Sequence, residues 1–277
     1  MRIFGGVDRN NFYKLKLNIM KLTLNFVFIL INLMTFAQNG NYRIKYLLDF
    51  QKDSLDIQSV NREIMYLDII NDVSIFQSEN LFKKDSISST DNPYSLFGLP
   101  KPEFKYKIVK EDNRCNYFVD YSPSHRFYVE DIDKVEWTFI SDTIKSIENF
   151  KCKLAKANFK GRNYFAWYTI EIPLNSGPYK FNGLPGLIVE LFDSKKHYHF
   201  QLLSIKEMQN MKNYTERKKY TKISKQDLVQ LQNNIKIKPS IILSNSNLNL
   251  PKEGMDKYDN KHRELNKKFN NPIELTD

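Results

Sequence analysis

"GPYKFNGLPGLIVELFD", residues Gly177–Asp193, decides the fold. Its first ten residues hold three of the nine glycines and two of the ten prolines in the chain, and a strongly apolar run follows directly. Leu184-Pro185-Gly186-Leu187 meets the requirements of a type II turn, because proline presets φ at the second position and glycine accepts a positive φ at the third. Gly177-Pro178 supplies a second bend upstream. The flanks, Tyr164 to Ile172 and Leu187 to Phe192, then read as antiparallel strands joined by Pro173 to Gly186. Fourteen residues is long for a hairpin connection, and loops of that length are packed or functional. Glycine and proline over-specify this one, which favours a packed, rigid loop.

Outward from this stretch, alternation of period two dominates. "YRIKYLLDF" puts Tyr42, Ile44, Tyr46, Leu48 and Phe50 on one face of an opening strand. "EIMYLDII" and "VSIFQSE" read as a hairpin across Asn71-Asp72, a pair that tolerates turn geometry. Residues 83–103 are rich in Ser, Asp, Asn and Pro and read as an exposed loop. Further strands are expected at Phe104 to Lys110, Cys115 to Tyr121, His125 to Asp131, Val135 to Ile140, Phe150 to Phe159 and His197 to Met208. Most connections are too short for crossover helices. Ser224 caps an expected helix over "KQDLVQLQNNI", in which Leu228, Leu231 and Ile235 follow helical spacing. The remaining tail reads as a surface segment pinned by Phe269, Ile273 and Leu275. The expected fold is mainly β, a single antiparallel, strongly curved sheet or open barrel with one C-terminal helix packed against it. Residues 38–210 form the β domain in this reading, and residues 211–277 the basic helix and tail packed on it.

The N-terminus has the layout of a secretory signal: Met20-Lys21, then the apolar "LTLNFVFILINLMTF", then Ala37-Gln38. Fifteen residues interrupted by Asn25 and Asn32 fall short of the roughly 20 needed to span a bilayer. The reading is therefore a signal region over residues 1–37 with Met20 as the start, cleaved after Ala37. It leaves an exported chain of the periplasm or cell envelope, with no membrane span. Cleavage removes five basic residues and Asp8, so the net charge falls by four from +10 to +6. The densest basic stretch, Lys206 to Lys225, reads as a solvated linker and helix face, and export argues against a nucleic-acid partner. Cys115 and Cys152 are the only cysteines, and in an oxidising compartment an isolated pair is expected to form one disulfide.

"GLPGLI" at Gly183 to Ile188, with "GPYKFN" before it, "AWYT" at Ala166 to Thr169, "CKLAKANFKGR" at Cys152 to Arg162 and "NPIEL" at Asn271 to Leu275, resembles the GLPGLI family of exported proteins from Bacteroidetes-type bacteria. The resemblance implies an exported protein of unknown function and supplies no catalytic residues.

Local hydrolase, phosphate-loop and calcium-loop signatures are missing. His197 and His199, two apart on a strand, are the candidate metal ligands, with Glu190 or Asp193 as the carboxylate. Glu130, Asp131, Asp133 and Glu136 form an acidic group that reads as a solvated turn. Trp167, Tyr168, Pro178, Tyr179, Gly183, Leu184, Pro185 and Gly186 are the candidate ligand or partner contacts, since neighbouring strands there are apolar on both faces and need cover or a ligand. No motif calls for a cofactor. The expected function is a non-enzymatic binding or carrier module for an apolar, peptide or envelope-polymer ligand. The alternatives are a metal-dependent hydrolase using His197 and His199, and an accessory subunit of an outer-membrane receptor.

Overall fold

The structure is a computed structural model and describes residues 40–88, 98–111, 114–122, 125–131, 134–209, 219–243 and 251–275. The expected signal region lies outside the described residues. Twelve strands form one open sheet in the order β12-β6-β5-β4-β3-β2-β1-β11-β10-β9-β8-β7. In chain order they are β1 (Tyr42–Gln51), β2 (Val60–Ile70), β3 (Val73–Ser78), β4 (Tyr106–Glu111), β5 (Arg114–Ser122), β6 (His125–Asp131), β7 (Thr138–Ile147), β8 (Phe150–Phe159), β9 (Arg162–Thr169), β10 (Leu187–Asp193), β11 (Tyr198–Glu207) and β12 (Thr221–Lys222). Every pairing is antiparallel except that of β12 with β6. Among the described residues, three α-helices accompany the sheet: α1 (Glu79–Ser88), α2 (Lys225–Ile237) and α3 (Lys252–Lys267).

The alternation in β1 works as expected, with Ile44, Tyr46, Leu48 and Phe50 all buried on one face. β2 and β3 form the hairpin over Asn71, which takes a positive φ of 52°. Two segments differ from the sequence reading. Residues 83–88, expected as loop, complete α1, where Lys83 pairs with Glu79 one turn earlier. Much of the expected surface tail is α3, a helix so charged that Asp259 is its only buried residue. Its carboxylate accepts the Ser240 amide at 2.6 Å and the Ser240 hydroxyl at 3.0 Å, so α3 docks through a polar contact, not an apolar stripe.

The connection from β9 to β10 lies inside the curve of the sheet. Tyr179, Phe181 and Leu184 are almost fully buried. The Phe181 ring meets Phe159 of β8 at 5.3 Å and Tyr164 of β9 at 4.5 Å, while Lys180 reaches Asp131 of β6. One short segment thus touches strands near both ends of the sheet, which requires the sheet to curve around it. The loop is tied down by Trp137 Nε1 donating to the Asn182 carbonyl at 2.7 Å and by the Gly183 amide donating to Asn175 Oδ1 at 2.6 Å.

The turn at Pro185 is not of type II. The Gly186 amide donates to the Leu184 carbonyl at 2.8 Å, closing a three-residue γ-turn, and the Leu187 amide goes instead to Ile172 at 3.1 Å. Glycine is required at position 186 for a stronger reason than turn type. A Cβ there would lie 2.0 Å from the Thr169 carbonyl oxygen, and φ is +143°.

The expected disulfide is absent, and both cysteines are free thiols. Cys115 on β5 lies in the field of Lys110, Lys180, Asp131 and Glu274, whereas Cys152 on β8 neighbours Lys145, Glu171 and Glu190. Burial raises the pKa of both thiols, that of Cys152 to about 11, so each is held protonated.

Candidate functional site

On the concave face, a cavity of about 370 Å³ opens between the sheet, the β9–β10 loop, α2 and the C-terminal segment. Its aromatic wall is built by strand periodicity. Tyr106 on β4 and Tyr117 on β5 point to the same side as the buried Ile108 and Val119, and their rings lie 4.9 Å apart. Phe104 packs edge-on against Tyr106 at 5.2 Å and against Tyr179 at 6.0 Å. The buried Glu63 holds Phe104 in place by accepting its amide at 2.8 Å, and burial raises the pKa of that carboxyl.

The polar end of the cavity is centred on Lys180. Its ammonium donates to Asp131 at 2.5 Å and to Glu274 at 2.6 Å, and it lies 5.3 Å from the centre of the Tyr117 ring and 5.5 Å from that of Tyr179. Tyr179 Oη donates to the same Glu274 oxygen at 2.7 Å. Burial works to lower the Lys180 pKa, but Glu274 and Asp131 outweigh it and the net shift is upward. The lysine is therefore charged at neutral pH. Burial lifts Tyr117 and Tyr179 well above the ordinary phenol range, so both remain neutral donors. A second pair, Lys52 with Glu103 at 2.8 Å, stands at the rim, where the lysine also lies over the Phe269 ring at 4.8 Å. The lining is amphipathic, with edge-on and tilted aromatic rings on one side and mutually neutralised charges on the other.

The sequence-derived candidates divide among three places. Tyr179 lines the cavity. Pro178, Leu184 and Gly186 are buried in the loop beneath it, while Gly183 and Pro185 are exposed. Trp167 and Tyr168 project to opposite sides of β9: Tyr168 is buried against the Phe139 ring, and Trp167 is half-buried with the Lys145 ammonium 5.6 Å from its ring centre. His197 and His199 have different neighbours. His199 Nε2 lies 2.8 Å from Glu190 Oε1, and its ring meets Phe192 edge-on. His197 Nδ1 lies 3.4 Å from the Arg162 guanidinium, a cation unsuited to a metal's neighbourhood. Among the described residues, no group of three or more His, Cys, Asp or Glu side chains is placed to hold a metal. The acidic group also separates, with Glu130 pairing Lys222 and Asp131 pairing Lys180; Asp133 lies outside the described residues.

Sequence reasoning missed Phe104, Tyr106, Tyr117, Lys180, Tyr198 and Glu274. The alternation of Tyr106 with Ile108 and of Tyr117 with Val119 was an available signal. Convergence of these strands with the loop and the C-terminus depends on curvature, which leaves no local mark.

Fold and site together define an open, curved antiparallel sheet carrying an aromatic, charge-balanced cavity on its inner face. A family model described as "Protein of unknown function (Porph_ging)" matches residues 117–190, from Tyr117 of the cavity through the buried loop to β10. No curated protein matches the chain. Among solved structures, PNGF-II in its P21 crystal form is similar with a TM-score of 0.50 and 15% identity, covering 69% of this chain and 33% of that one. Its C2 form gives a TM-score of 0.48 at 15% identity over 70% of this chain and 32% of that one. The chain spans about a third of the length of PNGF-II, and the likeness concerns the fold alone.

Proposed function

We propose that this chain is a non-enzymatic binding module of the cell envelope, taking an amphipathic ligand into the cavity on its concave face. The observation that carries the reading is the cavity itself. At about 370 Å³ it falls within the range of small-molecule sites, and it combines an aromatic wall with a few converging polar groups. Its carboxylates are all engaged: Glu103 by Lys52, Asp131 by Lys180, and Glu274 by Lys180 and Tyr179. Engaged carboxylates suit hydrogen bonding and orientation better than proton transfer. The envelope location rests on the signal-like N-terminus and on the GLPGLI resemblance of residues 183–188; the aromatic wall in that location favours an apolar, peptide or envelope-polymer ligand.

The test is thermal denaturation of the exported chain against three probes: a long-chain fatty acid, a blocked tripeptide mixture and oligosaccharides cut from the bacterial envelope. At least one should raise the melting temperature saturably. Val229→Trp, on the α2 face that lines the cavity, should abolish the rise while leaving the fold intact. No saturable shift with any probe, or a shift untouched by Val229→Trp, would remove the basis for the reading.

A further inference from the structure

The C-terminal segment Asn270–Leu275 is held in a way that terminal packing does not require. Three consecutive backbone carbonyls are each taken by a side chain of the concave face. Tyr198 Oη donates to Asn271 O at 2.8 Å, Arg162 to Pro272 O at 2.5 and 3.2 Å, and Tyr164 Oη to Ile273 O at 3.0 Å. The side chains of the segment are read as well. Asn271 donates to the Gln51 carbonyl at 2.7 Å and accepts from Arg162 at 2.6 Å, Ile273 is buried, and Glu274 accepts from Tyr179 and Lys180. The backbone amides of Asn271 and Leu275 donate to Lys52 O at 3.2 Å and Lys160 O at 2.9 Å. The central reader is itself fixed, since Arg162 is buried and paired with Asp193 at 3.2 Å, whose other oxygen takes the Tyr198 amide at 2.7 Å.

This is side-chain recognition of a peptide backbone combined with two sequence-selective contacts, an amide at the first position and a carboxylate three residues later. We infer that the groove is a peptide-recognition site and that the chain's own segment Asn271–Leu275 occupies it as a tethered ligand. The ligand class is a peptide of the pattern Asn-Pro-aliphatic-acidic. Tethering supplies an effective concentration in the millimolar range, so a free peptide enters only when the tail is weakened or displaced. The inference goes beyond the reading above, which concerns the cavity beside the tail and not the groove the tail fills.

The experiment uses the full chain carrying Ile273→Asp, which places an unpaired charge in an apolar slot and so expels the tail. The probe is a fluorescein-labelled peptide of residues 269–277, FNNPIELTD, followed by fluorescence anisotropy. The variant should bind it at least about tenfold more tightly than the wild-type chain, whose groove is filled. A peptide with Gln in place of the glutamate should bind about tenfold more weakly, the loss expected for a charge-assisted contact. If the variant does not fold alone, saturating peptide should restore its thermal transition. A folded variant that ignores the peptide, equal binding of a scrambled peptide, or an unfolded variant that the peptide does not rescue would each overturn the inference. Because the small probes of the preceding test are absent here, the two readings fail separately.

Discussion

Gly186 and Lys110 carry the sharpest consequences at the scale of single residues. Replacing Gly186 by Ala forces a Cβ against the Thr169 carbonyl at 2.0 Å and a non-glycine φ of +143°, so β9 and β10 must separate locally. The expected loss is about 3 kcal/mol or more, from backbone strain and overpacking together, read as a lower urea midpoint at unchanged slope. Lys110 is half-buried, with Nζ 3.4 Å from the Phe181 carbonyl, and burial pushes its pKa down to about 8 from the ordinary 10.5, with Cys115 opposing slightly. Between these values the unfolded chain binds the proton that the folded chain gives up, so this lysine makes stability rise with pH across that window. Lys180 works in the opposite sense. Its folded pKa is raised, so its contribution is complete below 10.5 and fades only as pH climbs beyond that. Urea midpoints at pH 7.5 and 9.5 should therefore increase more for wild type than for Lys110→Met, and an equal change in both would contradict the assignment.

At the scale of elements, legibility followed how local the determining physics is. The capping box of α2 is a contact within four residues: Ser224 Oγ accepts the Asp227 amide at 3.1 Å, and the Asp227 carboxylate accepts the Ser224 amide in return at 3.3 Å. The Ser224 cap was readable directly, and Ser224→Ala should cost about 1 kcal/mol in denaturant unfolding, with no measurable loss contradicting the cap. Strands with an apolar face were equally plain. α3 was not, because its helical face is almost wholly polar and its docking rests on Asp259. β7 was recognised only in part. It runs to Ile147 through a bulge at Ile140/Ile144, where Asp142 takes a φ of 59°, and that irregularity breaks the alternation. The disulfide expectation failed because pairing by count ignores position: the two thiols belong to strands separated by most of the sheet.

For the whole molecule, the mainly β, antiparallel character follows from the period-two alternation and the short connections of the chain, but the curvature does not. Phe181 is apolar in any reading. Only the closed path of contacts from Phe159 through Phe181 and Lys180 to Asp131 shows that the loop is the centre around which the sheet bends. The same curvature gathers Tyr106, Tyr117, Tyr179 and Glu274, which are far apart in sequence, into one cavity. Tyr179 was the single candidate residue legible beforehand that lines it. The others become visible only when both ends of the sheet and the C-terminus are brought together.

The most direct measurement of the central claim is hydrogen exchange by mass spectrometry, with and without the probe that stabilises the chain most. The account predicts slowed exchange in residues 104–111, 114–121, 225–232 and 269–275, which surround the cavity, and unchanged exchange in β7 and β8. Slowing confined to those two strands, or no slowing around the cavity at saturating probe, would contradict it.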